Sequence, residues 1–258
     1  MIDNTIIGAA FESDQRLRSM LTDTSEPAVH ADDGLNVRLF KIRAAGTAGR
    51  LDSASILIDR RYAWRGYQTN PLSHNQGLDR ITLVASDEDA TIGTMSIGFD
   101  GDGGLLVEEL FPDEVRSLRE AGHRVCEFTK LAMDSVLGSK RVLASLFHVA
   151  YIYAYRVKGF DRLLIEVNPR HVKYYEKILG FEVMGPQRMN LRVNAPAVLL
   201  CLSFSHTEQQ IGKFGGQPQM SATERSLYPY SFSVDEEAGI VGRLKGTARL
   251  AEPAGYRH

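Results

Sequence analysis

The chain has 258 residues, a formal net charge of −2, and 43% hydrophobic and 24% charged residues. This balance is typical of a globular protein with one large or two small domains and excludes a wholly disordered chain. A charge near zero argues against a general nucleic-acid binder, so we expect no nucleic-acid partner. No apolar run approaches the ~20 residues of a transmembrane segment, and we expect no signal peptide. The only cysteines, Cys126 and Cys201, exclude a disulfide framework and a zinc ribbon, which favours a cytoplasmic location.

In the first half of the chain, short periodic segments follow a mixed N-terminal segment at residues 1–35. Alternating apolar residues predict strands, and apolar residues three and four apart predict helices. The predicted elements are a strand at 36–43, a helix at 47–64, a hairpin of strands at 80–85 and 91–99, and a helix at 113–120.

The second half predicts a strand–helix–strand crossover followed by a further helix and two strands. The predicted elements are a strand at 125–133, a long helix at 139–158, a strand at 163–167, a helix at 170–179, and strands at 181–184 and 197–204. Such an order predicts an α/β fold with one mixed sheet and helices on both faces, in a domain spanning residues 36–205. Residues 206–258 are rich in Gly, Gln and Ser, and we expect a loosely held C-terminal extension.

One stretch, RLLIEVNPRHVKYYEKILGF at residues 162–181, resembles the final strand, helix and Gly-Phe of the GNAT acyltransferase superfamily. It is more similar still to the N-acyl amino acid synthase branch, whose relatives are the autoinducer (acyl-homoserine lactone) synthases. Three further motifs agree in order: RYAWRGY at 61–67, IGT at 92–94, and CEFTKL at 126–131, where autoinducer synthases carry Glu-x-x-Arg. The resemblance covers roughly residues 37–204.

The resemblance implies a GNAT-like fold and the transfer of a long acyl chain to the amine of an amino acid. The implied donor is the acyl-phosphopantetheine thioester of acyl carrier protein, so the partners are that carrier and a small-molecule amino acid, without a bound cofactor. The segment at 134–141 has a single glycine, whereas a coenzyme A site has a glycine-rich turn for the pyrophosphate. This difference favours the carrier-protein donor.

Glu127 is the candidate for removing the proton of the attacking amine, directly or through water. It lies inside an otherwise apolar strand, where a carboxylate is costly to bury unless it is paired. The structural alternative is an ion pair with an arginine such as Arg61. Lys130 stands where autoinducer synthases have arginine; it keeps the charge without the bidentate fork, so it is either a substrate ligand or an ordinary strand-end charge.

The end of the first helix and the last helix supply further candidates. Arg61 is a candidate for binding the acceptor carboxylate, and Trp64 is a candidate for forming a wall of the cleft. The alternative is that both belong to the end of an ordinary amphipathic helix. The resemblance implies that Tyr175 protonates the departing thiolate. The alternative is that its ring only packs against neighbouring residues. Arg170 and His171 begin a helix, and a helix N-terminus favours anions such as the pantetheine phosphate. The alternative is that both are ordinary surface residues.

The acyl chain requires an apolar groove, for which Phe128, Phe147 and Tyr151 are candidate walls, although such residues also form ordinary core. The histidines show no metal-ligand spacing, so we expect no metal site. The sequence therefore predicts an N-acyltransferase that makes N-acyl amino acids by direct attack. Two alternatives remain: acyl-homoserine-lactone-type or other amine chemistry, and a non-catalytic module that binds acyl groups or the carrier.

Overall fold

A computed structural model describes residues 5–12, 37–63, 72, 79–135 and 138–251. Its strands are β1 (Thr5–Glu12), β2 (Val37–Ala44), β3 (Arg80–Asp87), β4 (Ala90–Phe99), β5 (Val125–Met133), β6 (Arg162–Val167), β7 (Glu182–Val183), β8 (Arg188–Asn190) and β9 (Ala195–Ser203). Its α-helices are α1 (Ala48–Ala63), α2 (Pro112–Glu120), α3 (Lys140–Tyr151), α4 (Val172–Leu179), α5 (Phe204–Phe214) and α6 (Val234–Ala251).

The strands form one mixed sheet in the order β1-β2-β3-β4-β5-β6-β9-β7, with β8 also pairing with β9. Among the described strands, β5 and β6 are the parallel pair, and the other pairs are antiparallel. The helix α3 connects β5 to β6, as the crossover pattern predicts. The α/β fold with a mixed sheet and helices on both faces is therefore confirmed.

The helices divide between the two faces of the sheet. Because side chains alternate along a strand, β5 presents Val125 to α2 and Cys126 to α3. The helix α1 packs on the α2 side, where Leu57 and Ile58 bury against Val84 of β3. The helices α3, α4, α5 and α6 bury their apolar side chains on the opposite face.

Local signals place the helix ends around the parallel pair. Ser139 begins α3, and its hydroxyl accepts a hydrogen bond from the Val142 amide at 3.2 Å. The predicted long helix changes at Ile152–Val157 into a wider π-helical turn. Asn168 caps the short turn before α4 through the Arg170 amide, and α4 ends at Gly180 with φ 78°.

The expectation of a loosely held extension after residue 205 is wrong for its described part. Phe214, Tyr228, Phe232 and Ile240 are buried in the same core as α3. The buried apolar residues are few but large, and they enter the core at intervals along the extension. The sequence analysis also missed β1, β8, α5 and α6. Trp64 and most of the N-terminal segment at 1–35 lie outside the described residues.

The parallel pair opens part-way along its length. β5 and β6 pair at three positions only, from Val125 with Arg162 to Glu127 with Leu164. Beyond these positions the two strands continue to Met133 and Val167 without pairing to each other. We call the space between these continuing segments the gap.

Candidate active site

Glu127 lies at the last paired position before the gap and is part of a row across three strands. Arg80 of β3 pairs with Gly98 of β4, and Gly98 pairs with Glu127 of β5. The arginine reaches across the glycine, and its Nη2 lies 2.6 Å from Glu127 Oε1. The other oxygen, Oε2, accepts a hydrogen bond from the Val107 amide at 3.0 Å. Glu127 is thus a charged group with both oxygens bonded, and its side chain is 0% exposed.

Gly98 makes room for this ion pair. A Cβ at this position would lie 2.7 Å from Glu127 Oε1 and 2.9 Å from Arg80 Nη2, closer than side-chain atoms pack. Any other residue would push the two charged groups apart. A glycine inside a strand often marks a close approach of this kind.

The polar row continues on the same face of the sheet. Arg80 Nη1 donates to Thr129 Oγ1 at 3.3 Å, and the Thr82 and Ser96 hydroxyls are 2.8 Å apart. A buried polar strip with internal partners is costly to assemble but fixes its groups in one geometry.

The ion pair of Glu127 forms with Arg80 and not with the suggested Arg61. Arg80 and Gly98 are the residues that sequence reasoning missed. The sequence does contain a glycine in one strand and a glutamate in the next. Only the strand register shows that the two lie side by side. The Glu127 carboxylate does not point to bulk water.

Lys130 departs from the regular alternation of β5. Its φ of 53° places it at a bulge, where the β4–β5 register shifts. Burial lowers the pKa of Lys130, the Arg80 charge lowers it further, and Asp59 of α1 raises it. Lys130 therefore lies near charges on the Arg80 side of the sheet, whereas regular alternation would place it with Cys126 and Phe128.

A second carboxylate, Glu166, lies on β6 two residues beyond the last paired position. Leu164 is paired with Glu127, and alternation places Glu166 on the same face as both. Arg192 Nη2 donates to Glu166 Oε1 at 2.8 Å, and Asn190 Nδ2 donates to Oε2. The pKa of Glu166 is raised, mainly because the side chain is buried, and the Glu127 charge adds to this effect. The charge of Arg192 and the hydrogen bond from Asn190 oppose it.

The turn at Leu106–Glu109 connects the two carboxylates. Its Val107 amide binds Glu127, and Glu109 Oε2 lies 3.1 Å from Arg192 Nε. One short turn thus contacts the Arg80–Glu127 pair on one side of the gap and the Glu166–Arg192 pair on the other. The four charged side chains form two ion pairs on the same face of the sheet.

The remaining candidate polar residues lie in the last turn of α1, in the turn before α4 and on α4 itself. Arg61 is half-buried in the last turn of α1. The Arg170 guanidinium Nε lies 3.2 Å from His171 Nε2, in the turn that follows β6 beyond the gap. Tyr175 is half-buried on α4 and packs edge-on against Tyr174 and Phe181. Their roles stay predictions.

The candidate acyl walls lie on the opposite face of the sheet. Phe128 follows Glu127 directly, and its ring centroid is 6.1 Å from that of Phe147 and 6.4 Å from that of Phe204. Phe147 and Tyr151 line an apolar cavity of about 20 Å³ against α5, the size of a single water molecule. The three rings are buried, so an acyl chain would enter by displacing them.

Neither a metal cluster nor a membrane-spanning helix occurs in the described residues. They contain no group of three or more His, Cys, Asp or Glu arranged to hold a metal ion. They also contain no helix with the length and apolar character to cross a bilayer.

The mixed sheet, its opened parallel pair and the helices on both faces define a GNAT-type acyltransferase. The chain belongs to the N-acyl amino acid synthase FeeM family, whose family model matches residues 53–203. One similar solved structure is that of FeeM, an N-acyl amino acid synthase from uncultured soil microbes, which has 27% sequence identity to this chain. That match has a TM-score of 0.60 and covers 64% of this chain and 92% of FeeM.

Two further solved structures are more distant. The acyl-homoserine lactone (AHL) synthase LasI is 16% identical with a TM-score of 0.49, covering 64% of this chain and 89% of LasI. An N-acetyltransferase from Staphylococcus aureus Mu50 is 12% identical with a TM-score of 0.47, and the match covers 64% of this chain and 98% of the acetyltransferase. A comparison with curated protein sequences gave no match.

Proposed function

We propose that this N-acyltransferase moves a long acyl chain from acyl carrier protein to the amine of an amino acid. The observation that carries the proposal is the gap between β5 and β6, which begins at the buried Arg80–Glu127 pair. An acyl thioester lying in this gap would meet an amine on the carboxylate side of the sheet. The family match supports an N-acyl amino acid as the product.

The reaction is a direct acyl transfer. The amine nitrogen bonds to the thioester carbonyl carbon, and the carbon–sulfur bond breaks. The ammonium group loses two protons on its way to the amide: one ends on the departing thiolate and the other reaches solvent. We propose that Tyr175 supplies the thiolate proton and that Glu127 is the base for the amine proton. Because both oxygens of Glu127 are bonded, it acts through a water molecule or a neighbouring group.

The start of α3 supports a carrier-protein donor. Coenzyme A sites use free backbone donors and cations here, whereas in this chain the Ser139 hydroxyl is occupied by the Val142 amide. Arg141 donates to the Tyr230 and Ser231 carbonyls at 2.5 and 3.2 Å. The extension thus engages a cation that would otherwise be available to a pyrophosphate. Both cysteines are free thiols, and the cytoplasm remains the proposed compartment.

A bacterial host expressing the chain should accumulate new N-acyl amino acids, detectable by mass spectrometry of lipid extracts. Glu127→Gln should lower the product by about 10²-fold, because the base for the amine proton is removed. Glu182→Gln, at an exposed glutamate of β7, is the matched control and should leave the product unchanged.

Three outcomes of that experiment count against the proposal in different ways. Acylated homoserine lactones would point to autoinducer-type chemistry. The absence of any acylated amine, with retained binding to acyl carrier protein, would identify a non-catalytic module. A fully active and folded Glu127→Gln variant would remove Glu127 from the mechanism.

A further inference from the structure

We propose that Glu166 and Arg192 together bind the acceptor amino acid, with Glu166 holding its ammonium group and Arg192 its carboxylate. This inference rests on the proposed function and assigns the residues that bind its acceptor, a zwitterionic α-amino acid. Arg192 Nη2 donates a hydrogen bond to Glu166 Oε1 at 2.8 Å. The pair borders the gap on the face of the sheet where Glu127 lies.

Accessibility distinguishes the two carboxylates on this face. The Glu127 side chain is 0% exposed, whereas Glu166 is 13% and Arg192 is 29% exposed. A substrate therefore reaches Glu166 and Arg192 without breaking the sealed Arg80 pair. Each Glu166 oxygen accepts one hydrogen bond in the structure and has a second lone pair for an ammonium donor.

The position of Glu166 suits an amine that attacks a thioester in the gap. Glu166 follows Leu164 by two residues, about 7 Å along the strand. Since its side chain faces the same side as Glu127, an ammonium held there lies beside the opening and not behind the sheet. The Glu127 charge would also attract that ammonium.

Arg192 is held so that it can exchange partners. Its Nη2 binds Glu166, while its Nε binds Glu109, which is 57% exposed. An incoming carboxylate would replace Glu109 with a bidentate contact and leave the Glu166 bond in place. The Arg192 amide donates to Asn190 Oδ1 at 2.9 Å, and Asn190 also binds Glu166, so the β8–β9 turn fixes both ends.

The proton transfer follows from the same arrangement. The bound ammonium gives its first proton to the Glu166 carboxylate, the free amine attacks, and Glu166 then releases the proton to solvent. Burial and the Glu127 charge raise the pKa of Glu166, which brings it closer to that of a useful proton acceptor. Glu127 is then a positioning residue, and Glu166 is the group that touches substrate.

The test uses the full chain with dodecanoyl and hexadecanoyl carrier protein and each of the twenty standard amino acids in turn. The best acceptor is then compared with the amine formed by its decarboxylation. For Glu166→Gln, we expect the KM of both acceptors to rise about 10-fold or more, the KM of the carrier protein to stay the same, and the acid limb of the pH–rate profile to shift.

For Arg192→Met, we expect a loss specific to the carboxylate. The KM of the amino acid should rise about 10-fold, while the KM of the decarboxylated amine should stay within about 2-fold. The preference for the amino acid over its amine should therefore disappear.

The chain offers a matched control pair, whose arginine lies on the same β8–β9 hairpin as Arg192. Arg188 binds Glu114 of α2 at 2.8 Å, with side-chain exposures of 32% and 13%, nearly those of Arg192 and Glu166. Arg188→Met and Glu114→Gln should change stability to a similar extent without changing either acceptor preference. Melting temperatures of all four variants would separate folding defects from loss of binding.

The outcomes distinguish this inference from the proposed function. A wild-type chain that acylates none of the twenty amino acids contradicts the function itself. An active wild type whose Glu166→Gln and Arg192→Met variants keep the acceptor KM and the amino-acid preference overturns the inference alone. If only Arg61→Lys raises the acceptor KM, the carboxylate site lies at the end of α1.

Discussion

Two buried polar clusters lie on opposite faces of the sheet, and each contains a carboxylate bound by an arginine. On the α2 face, Glu127 is bound by Arg80 at 2.6 Å and by the Val107 amide. On the α3 face, Glu237 of α6 is bound by Arg156 at 2.8 Å and by His148 at 3.1 Å. A buried ion pair is therefore not by itself the mark of a catalytic site.

The surroundings of the two clusters distinguish them. The Arg80–Glu127 pair adjoins the gap and faces the partly exposed Glu166 across it. The Glu237 cluster joins α3 to α6, and Phe232 closes it by donating its amide to His148 Nδ1 at 3.0 Å. The first cluster adjoins the gap, and the second attaches the extension to the domain. Substitutions in the two clusters should therefore have separable effects.

The largest effect is expected for Arg80→Met. It leaves the Glu127 charge buried without its partner, which should lower the free energy of unfolding by about 3 kcal/mol. The turnover of folded enzyme should also fall, by about 10²-fold. Chemical denaturation and steady-state rates measure the two losses.

The double variant Arg80→Met, Glu127→Gln sharpens this result. Removing both charges should recover most of the lost stability but none of the activity. Recovery of activity together with stability would show that the pair is structural, like the cluster on the other face.

The fold was largely predictable because it depends on local periodicity. The strands β2 to β6 and the helices α1 to α4 begin or end within a few residues of their predicted bounds, since each has its own apolar pattern and caps. The helices α5 and α6 were missed because their buried residues, such as Phe214 and Ile240, are sparse among polar residues.

The candidate site was less predictable because it depends on register. Glu127 is visible as a glutamate in an apolar strand, but Arg80 is 47 residues away and comes beside it only through three paired strands. The bulge at Lys130 breaks the alternation of β5, and no local sequence pattern predicts it. Glu166 lies within the recognised motif, but Arg192 reaches it from a turn that alternation does not predict.

A smaller effect is expected for Glu237→Gln in the second cluster. The neutral amide weakens the bonds to Arg156 and His148, which should lower the free energy of unfolding by about 2 kcal/mol. Turnover per folded molecule should stay the same, because this cluster does not border the gap. A loss of turnover comparable to that of Arg80→Met would contradict the separation of the two clusters.

The smallest effect is a pH dependence of stability that comes from His148. Burial lowers the pKa of His148 and outweighs the opposing hydrogen bond and charge of Glu237, while the charges of Arg141 and Arg156 lower the pKa further. The imidazole is neutral in the folded state because Nδ1 accepts from the Phe232 amide and Nε2 donates to Glu237. The unfolded chain takes up a proton near pH ~6.5, before the folded chain does.

The stability that His148 contributes is therefore present above pH ~6.5 and decreases as the pH falls below that value. Between pH ~7 and ~5.5 the loss should be about 1 kcal/mol. Bonds from His148 and Arg156 outweigh burial and lower the pKa of Glu237, so its own loss belongs to a more acidic range. Urea unfolding at the two pH values measures the difference, and His148→Gln should remove it. An unchanged pH dependence in His148→Gln would mean that other groups produce it, because only the imidazole of this cluster changes charge in that range.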